Sequence, residues 1–154
     1  MRVLVAGVGN LDRTDDGVGV VAAGLAADQL PSEVEVRGSV RPLDLLELWG
    51  SFDAVYVLDG VVSGAPPGTV HRWELAEGRV LSASPGVSTH GLGVAEVVEL
   101  GRALGRLPPV LVVYGVEVAS LRPGQVLTPE VRRGAEEAAR QLAQEVAAAR
   151  ARRR

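Results

Sequence analysis

The chain has 154 residues, of which 47% are hydrophobic and 23% are charged, and its formal net charge is −3. This composition indicates a folded globular protein, because disordered chains carry fewer apolar residues and more net charge. The length predicts a single domain, residues 1–154, with a core of its own. The negative net charge argues against a nucleic-acid partner, and no apolar stretch is long enough to span a membrane.

Cysteine and lysine are both missing from the sequence. Without cysteine the chain has no disulfide, no thiolate metal ligand and no cysteine nucleophile. Without lysine it has neither a Schiff-base residue nor a Walker-type phosphate ligand. The N-terminal apolar run is too short for a signal peptide, so we expect a cytoplasmic protein.

The first part of the chain alternates short apolar runs with helical periods. The predicted elements are strand Val3–Gly7, helix Asp16–Gln29, edge strand Glu33–Arg37, helix Pro42–Leu48 and buried strand Ala54–Leu58. The connection that follows, from Val61 to Gly68, has eight residues and no helical period. A parallel crossover needs about a dozen residues or more. The next strand, Thr69–Leu75, is therefore predicted to be antiparallel and to lie at a sheet edge.

The second part of the chain continues this alternation. It predicts a Gly/Ser-rich loop Ser82–His90, a helix Gly91–Leu104, a central strand Val110–Val113 and a last helix that begins near Thr128. The element order β-α-β-α-β-β-α-β-α predicts an α/β fold. We expect a three-layer α/β/α sandwich around a mostly parallel five-stranded sheet with one antiparallel strand.

Polar side chains follow three of the predicted apolar segments. Asp16 comes after the first strand and its Gly-rich turn, Asp59 ends the third strand, and His90 lies in the loop before the third helix. Sites in open α/β sheets form at the carboxyl ends of strands. Two carboxylates and one imidazole at that edge suit nickel, zinc, manganese or cobalt. Without a metal, a carboxylate that orients His90 would make an acid/base pair.

Each of these residues also has a purely structural interpretation. Asp15 and Asp16 suit the N-terminus of a helix, Asp59 suits a turn, and His90 can bond within its own loop. Convergence of three segments on one edge favours a functional site instead. The other histidine, His71, falls on the predicted edge strand, where we expect it to face solvent without a role.

Two other site types are disfavoured by the sequence. Gly7-Val8-Gly9 after a first strand can approach a pyrophosphate, but Asp12 occupies the third glycine position, and carboxylates at a helix start repel phosphate. Ser63 and Ser88 lie outside any strand-to-helix Gly-x-Ser-x-Gly elbow, which argues against a serine triad.

At these residues the sequence resembles the hydrogenase maturation proteases, endopeptidases that trim the C-terminal extension of the nickel-containing large subunit. The resemblance covers nearly the whole chain. Its segments are Gly7-Val8-Gly9-Asn10 with Asp15-Asp16-Gly17-Val18-Gly19, Val57-Leu58-Asp59-Gly60, Ser88-Thr89-His90-Gly91-Leu92, and Gly115-Val116-Glu117 with Gly124–Val131.

The resemblance implies a phosphorylase/hydrolase-like sandwich and an endopeptidase whose partner is a hydrogenase large-subunit precursor. It implies that Asp16, Asp59 and His90 are the catalytic residues and bind nickel, which the substrate carries. Another divalent metal is a possible ligand in vitro. The mechanism stays open between an aspartic-type and a metal-assisted reaction, with a water as the expected nucleophile.

One segment departs from the family pattern. Arg37-Gly38-Ser39-Val40 stands where family members often show an Asp-Gly-Gly-Thr-like turn, so a cation replaces an expected acid. An alternative function therefore stays open, that of a non-proteolytic metal-binding or metalloenzyme-assembly protein that keeps the site but not the cleavage.

Overall fold

The computed structural model describes residues 1–9, 17–76, 87–88, 93–119 and 127–153. The strands are β1 Val3–Val8, β2 Glu35–Val40, β3 Ala54–Val62, β4 Val70–Glu74, β5 Val87–Ser88 and β6 Val110–Glu117. The helices are α1 Val18–Ala27, α2 Leu45–Leu48, α3 Val94–Leu104 and α4 Pro129–Arg152. Two 3₁₀ turns, Pro42–Asp44 and Trp49–Ser51, flank α2.

The main sheet has the strand order β2-β1-β3-β6-β4. The pairs β1–β2, β1–β3 and β3–β6 are parallel, and β4 is antiparallel to β6. This confirms the predicted α/β fold with five main strands, one of them antiparallel. The two-residue β5, which the sequence did not predict, pairs antiparallel with the end of β3.

Helices cover both faces of the sheet, which gives the predicted three layers. One face packs against α1 and α4 and buries Val5, Tyr56 and Tyr114. The other packs against α2 and α3 and buries Leu4, Val57 and Val113. Val, Leu and Ala make up most of both cores, as expected for strands buried on both sides.

Several predicted boundaries were wrong. Helix α1 begins at Val18 with Gly17 as its N-cap, two residues after the predicted start. Strand β3 continues through Asp59 to Val62, because its backbone pairs with β6 along the whole length from Ala54 to Val61. The end of β3 is therefore decided by ladder hydrogen bonds to β6 rather than by the apolar pattern of the sequence.

Within the described ranges, no helix combines the length and apolar character that a membrane span requires. The 24-residue α4 is long enough, but it carries many charged residues on its exposed side.

Candidate functional site

Asp59 is a buried carboxylate near the carboxyl edge of the sheet. It is 2% exposed, and strand alternation places it on the same face as Val55 and Val57, toward the α2–α3 layer. Its Oδ1 accepts a hydrogen bond from the N–H of Gly60 at 2.8 Å. Its register partner on β6 is Gly115, which has no side chain to cover it. The structure therefore puts Asp59 at the edge where the sequence predicts a site.

The first turn of α1 lies directly against this edge. A Cβ built on Gly19 would stand 2.6 Å from the carbonyl oxygen of Leu58 and 3.2 Å from the Cα of Asp59. No side chain fits there without moving backbone, since real Cβ atoms do not approach that closely. Gly19 is therefore what lets the start of α1 reach the strand that carries Asp59.

Gly7, near the end of β1, and Gly9, just after it, likewise allow a close approach to α1. A Cβ on Gly7 would lie 2.6 Å from the Cβ of Ala23, and one on Gly9 would lie 2.3 Å from a methyl group of Val20. Both neighbours belong to α1. The Gly-x-Gly pattern thus serves close helix–strand packing, a role that requires no nucleotide.

Asp16 and His90, the other two predicted site residues, lie outside the described residues. The segment nearest to His90 that the structure describes is β5, where Ser88 pairs with Val61, two residues beyond Asp59. The convergence of Asp16, Asp59 and His90 therefore stays a prediction. Among the residues that the structure does describe, no three acidic or histidine side chains are grouped closely enough to hold a metal.

A second buried acid, Glu117, lies at the same edge and was not singled out from the sequence. It is 1% exposed and ends β6, beside Val61 of β3. Its carboxylate accepts hydrogen bonds from the backbone N–H of Ser63 at 2.6 Å and from the Ser63 hydroxyl at 2.7 Å. Burial alone would raise the pKa of Glu117, but the hydrogen bonds from Ser63 and His71 hold it below the usual value. Glu117 is therefore ionised at neutral pH.

The prediction that His71 faces solvent was wrong. Its side chain is 24% exposed, and its Nε2 lies 3.0 Å from Oε1 of Glu117. Since an ionised carboxylate only accepts hydrogen bonds, Nε2 must carry the proton. Alternation on β4 puts His71 on the same face as Trp73, toward the α2–α3 layer, and there it meets Glu117 of the neighbouring β6.

Trp73 lies next to His71 on the same face of β4. The two rings stack with centroids 5.2 Å apart and planes 12° apart. The indole also lies over Gly115, since a Cβ there would be 2.7 Å from Cζ3 of Trp73. The row across the sheet at this level is therefore Asp59 on β3, Gly115 on β6 and His71 on β4.

The opposite face of the sheet, which α1 and α4 cover, holds a different polar cluster. Arg72 donates to the two carboxylate oxygens of Glu145 at 2.8 and 2.6 Å, and the hydroxyl of Tyr114 also donates to Glu145. A cavity of about 540 Å³ lies nearby, lined in part by Glu145 and Tyr56. Burial and the negative charge of Glu145 raise the pKa of Tyr56 to about 12. This cluster ties α4 to the sheet on the face away from the Asp59 side chain.

Comparison with known proteins identifies the family. The sequence profile described as hydrogenase maturation protease matches residues 18–145, a range that includes Asp59 and His90. The chain belongs to the hydrogenase maturation protease family. It is 35% identical over 135 residues to the hydrogenase 2 maturation protease of Escherichia coli K12, covering 85% of this chain and 82% of that protein.

The chain is also similar to other proteins whose names refer to hydrogenases or endopeptidases. The chain is 32% identical over 135 residues to the hydrogenase expression/formation protein HupD of Thiocapsa roseopersicina. The matched residues are 85% of this chain and 61% of that protein. Two solved E. coli endopeptidases superpose on it. One has a TM-score of 0.73 at 35% identity, covering 92% of this chain and 90% of that one. The other, the maturating endopeptidase HybD, has a TM-score of 0.68 at 31% identity with the same coverage.

Proposed function

We propose that this chain is an endopeptidase that removes the C-terminal extension of a hydrogenase large-subunit precursor. We propose further that Asp16, Asp59 and His90 recognise nickel already inserted in that precursor. Family membership supports the reaction class. The single observation that supports the site is Asp59, a buried carboxylate held at the carboxyl edge of the sheet between the start of α1 and β6.

The chemistry of Asp59 suits this role. A carboxylate is a good oxygen ligand for a divalent cation, and burial strengthens its interaction with a positive charge. The N–H of Gly60 fixes one carboxylate oxygen, which limits rotation of the group. Peptide hydrolysis consumes one water, breaks the C–N bond and moves one proton to the leaving amine. A carboxylate beside that water can accept its proton, which is the general-base role we assign to this site.

The direct test is to incubate the protein with a hydrogenase large-subunit precursor, with and without inserted nickel, and to follow the product by intact-mass spectrometry. We expect loss of one C-terminal peptide from the nickel-loaded precursor only. Asp59→Asn should reduce the cleavage rate at least about a hundredfold, because it removes the negative charge but keeps the shape.

Asp28→Asn is the matched control, since Asp28 is an exposed carboxylate at the end of α1, away from the site. It should cleave at the wild-type rate. Full activity of Asp59→Asn would remove Asp59 from the mechanism. Absence of cleavage by the wild-type protein with nickel-loaded precursor would contradict the proteolytic function.

The second candidate is a metal-binding or metalloenzyme-assembly protein that keeps the site without cleavage. Arg37 favours it, because this residue is a cation where the family often has an acid. Arg37 is exposed on β2, and its guanidinium pairs with the carboxylate of Glu35 at 2.7 Å. The same strand ends at Val40, whose carbonyl accepts a hydrogen bond from the N–H of Gly9 after β1. Retained, saturable metal binding without cleavage of any precursor would support this function.

A further inference from the structure

A continuous set of contacts joins Glu117 to the side of the site beside Asp59. We propose that Glu117 is a positioning residue: through His71 it fixes the indole of Trp73 as a wall of the peptidase site. This inference rests on the proposed function, because the wall matters for catalysis only if Asp59 acts on a bound peptide.

The first step is the fixation of Glu117 itself. Both of its oxygens accept hydrogen bonds from Ser63, a third bond comes from the N–H of Gly64 at 3.3 Å, and a fourth comes from His71. With 1% exposure and four donors, the carboxylate has no capacity left to bind a substrate. Its effect on the reaction must therefore pass through its neighbours.

The second step runs from His71 to Trp73. Glu117 holds the imidazole at Nε2, and the imidazole stacks on the indole. Trp73 is partly buried and also packs against the core of the α2–α3 face, so the stack on His71 is one of the contacts that decide where the ring lies. Removing the anchor of His71 therefore loosens one of the contacts that hold the indole in place.

The third step places the indole beside Asp59. The ring fills the space over Gly115, the residue directly opposite Asp59 on the neighbouring strand. Adjacent strands are about 4.8 Å apart. The indole therefore excludes water from the β6 side of Asp59 and leaves a peptide to approach from the other side.

The first measurement follows Trp73 without metal or substrate. The chain has two tryptophans, Trp49 and Trp73, so the difference between each protein and its Trp73→Phe counterpart isolates Trp73 fluorescence. We expect Glu117→Ala to shift this emission to longer wavelength and to increase its quenching by acrylamide. Glu117→Gln, which keeps an acceptor oxygen, should restore most of the wild-type signal. Glu136→Ala, on the exposed side of α4, is the control and should change nothing.

The second measurement is precursor cleavage, with kcat and KM determined separately. We expect Glu117→Ala to lower kcat at least about tenfold through misplacement of the peptide, with Glu117→Gln intermediate. If Glu117→Ala fails to fold, His71→Ala replaces it, because it leaves the bonds between Glu117 and Ser63 in place. Wild-type Trp73 emission, or wild-type kcat and KM, in a folded His71→Ala or Glu117→Ala protein would overturn the proposal.

These two measurements separate the two hypotheses. If the wild-type protein cleaves no precursor, the proposed function fails. The fluorescence still decides whether Glu117 sets the position of Trp73. If the wild-type protein cleaves the precursor but Trp73 fluorescence is the same in Glu117→Ala as in wild type, only the positioning role of Glu117 is wrong.

Discussion

Glu117 and Asp59 show how differently two buried carboxylates on neighbouring strands can be used. Glu117 is surrounded by donors from β4 and from the turn after β3, which stabilise its charge and engage both oxygens. The carboxylate of Asp59 accepts a hydrogen bond from the N–H of Gly60, and the register partner of Asp59 on β6 is Gly115. Protein donors therefore engage both oxygens of Glu117.

The close approach at Gly19 leads to a stability prediction. Gly19→Ala places a Cβ 2.6 Å from the carbonyl oxygen of Leu58, so α1 must shift away from β3. We expect a loss of about 1–3 kcal/mol in the free energy of unfolding, measured by urea denaturation.

Gly24→Ala is the matched control in the same helix, because a Cβ at Gly24 meets nothing within 4 Å. It should stabilise the protein by about 0.5–1 kcal/mol through helix propensity. Equal effects of the two substitutions would show that packing at Gly19 is not limiting.

At the residue scale, the sequence predicted that Asp59 lies at the carboxyl edge of the sheet, but it did not predict the burial of Glu117 or its contact with His71. Asp59 follows a run of apolar residues and precedes Gly60, a local pattern that predicted a strand end, although β3 continues to Val62. Glu117 finds its partners 46 and 54 residues away in the chain, and no local pattern encodes such a pairing. An acid that closes an apolar run, as Glu117 does after Val116, was the one available signal.

At the element scale, α4 is capped at its N-terminus and bound to the sheet nearer its C-terminus. Its N-cap Thr128 accepts a hydrogen bond from the N–H of Val131, and Pro129 occupies the first turn, where a missing N–H costs nothing. Nearer its C-terminus, Glu145 binds Arg72 and Tyr114. The sequence predicted this helix correctly because its cap and its apolar period are both local.

The cap of α4 can be tested alone. Thr128→Ala removes the acceptor for the N–H of Val131 and should lower the free energy of unfolding by about 0.5–2 kcal/mol. Thr128→Ser keeps a hydroxyl at the same place and should remain close to wild type. Thermal or urea denaturation of the three proteins checks this order, and a Ser variant as unstable as the Ala variant would contradict the capping role.

The contact between α4 and β4 predicts a dependence on pH. Burial alone would raise the pKa of Glu145, but hydrogen bonds from Arg72 and Tyr114 hold it below the ordinary value of 4.5. Its contribution to stability is therefore present above pH 4.5 and is lost as the pH falls through the pKa of the folded state.

Glu145→Gln lacks this ionisation. We expect it to be less stable than wild type at pH 7 by about 1–3 kcal/mol, since a charged hydrogen-bond acceptor is lost. The difference should shrink as the pH falls below 4.5. Urea denaturation at several pH values measures it, and a constant difference from pH 7 to pH 3 would contradict the assignment.

Strand ends were the least predictable elements. The sequence ended the third strand at Leu58, but β3 runs on to Val62, with Asp59 inside it. Asp and Gly usually interrupt strands, and here the ladder with β6 overrides that preference. The antiparallel direction of β4 was predicted because connection length is a geometric limit that tertiary contacts do not relax.

For the whole molecule, the sheet order sets which parts are most protected. Strands β1, β3 and β6 each have neighbours on both sides, whereas β2 and β4 lie at the edges of the main sheet. The fold class was predictable because it depends on the order of elements. The convergence of Asp16, Asp59 and His90 depends instead on which side chains meet, and it stays a prediction.

Hydrogen exchange followed by mass spectrometry should reflect this order. Amides of β3 and β6 should exchange most slowly, through global unfolding, and those of β2 should exchange faster through local opening. Exchange in β2 as slow as in β3 would mean that the whole sheet opens as one unit.

The position of β4 in the chain has a consequence for biosynthesis. β4 ends at Glu74, but its partner in the sheet, β6, begins only at Val110. On the ribosome, β4 therefore emerges well before the strand that gives it a place in the sheet. Until β6 follows, the backbone hydrogen-bonding groups of β4 lack their strand partner, and the side chains of Val70 and Trp73 lack their contacts with β6. The nascent chain then exposes an unpaired, aggregation-prone strand to which chaperones can bind. The last step of assembly is then the arrival of α4, which closes over Gly68 and completes the layer.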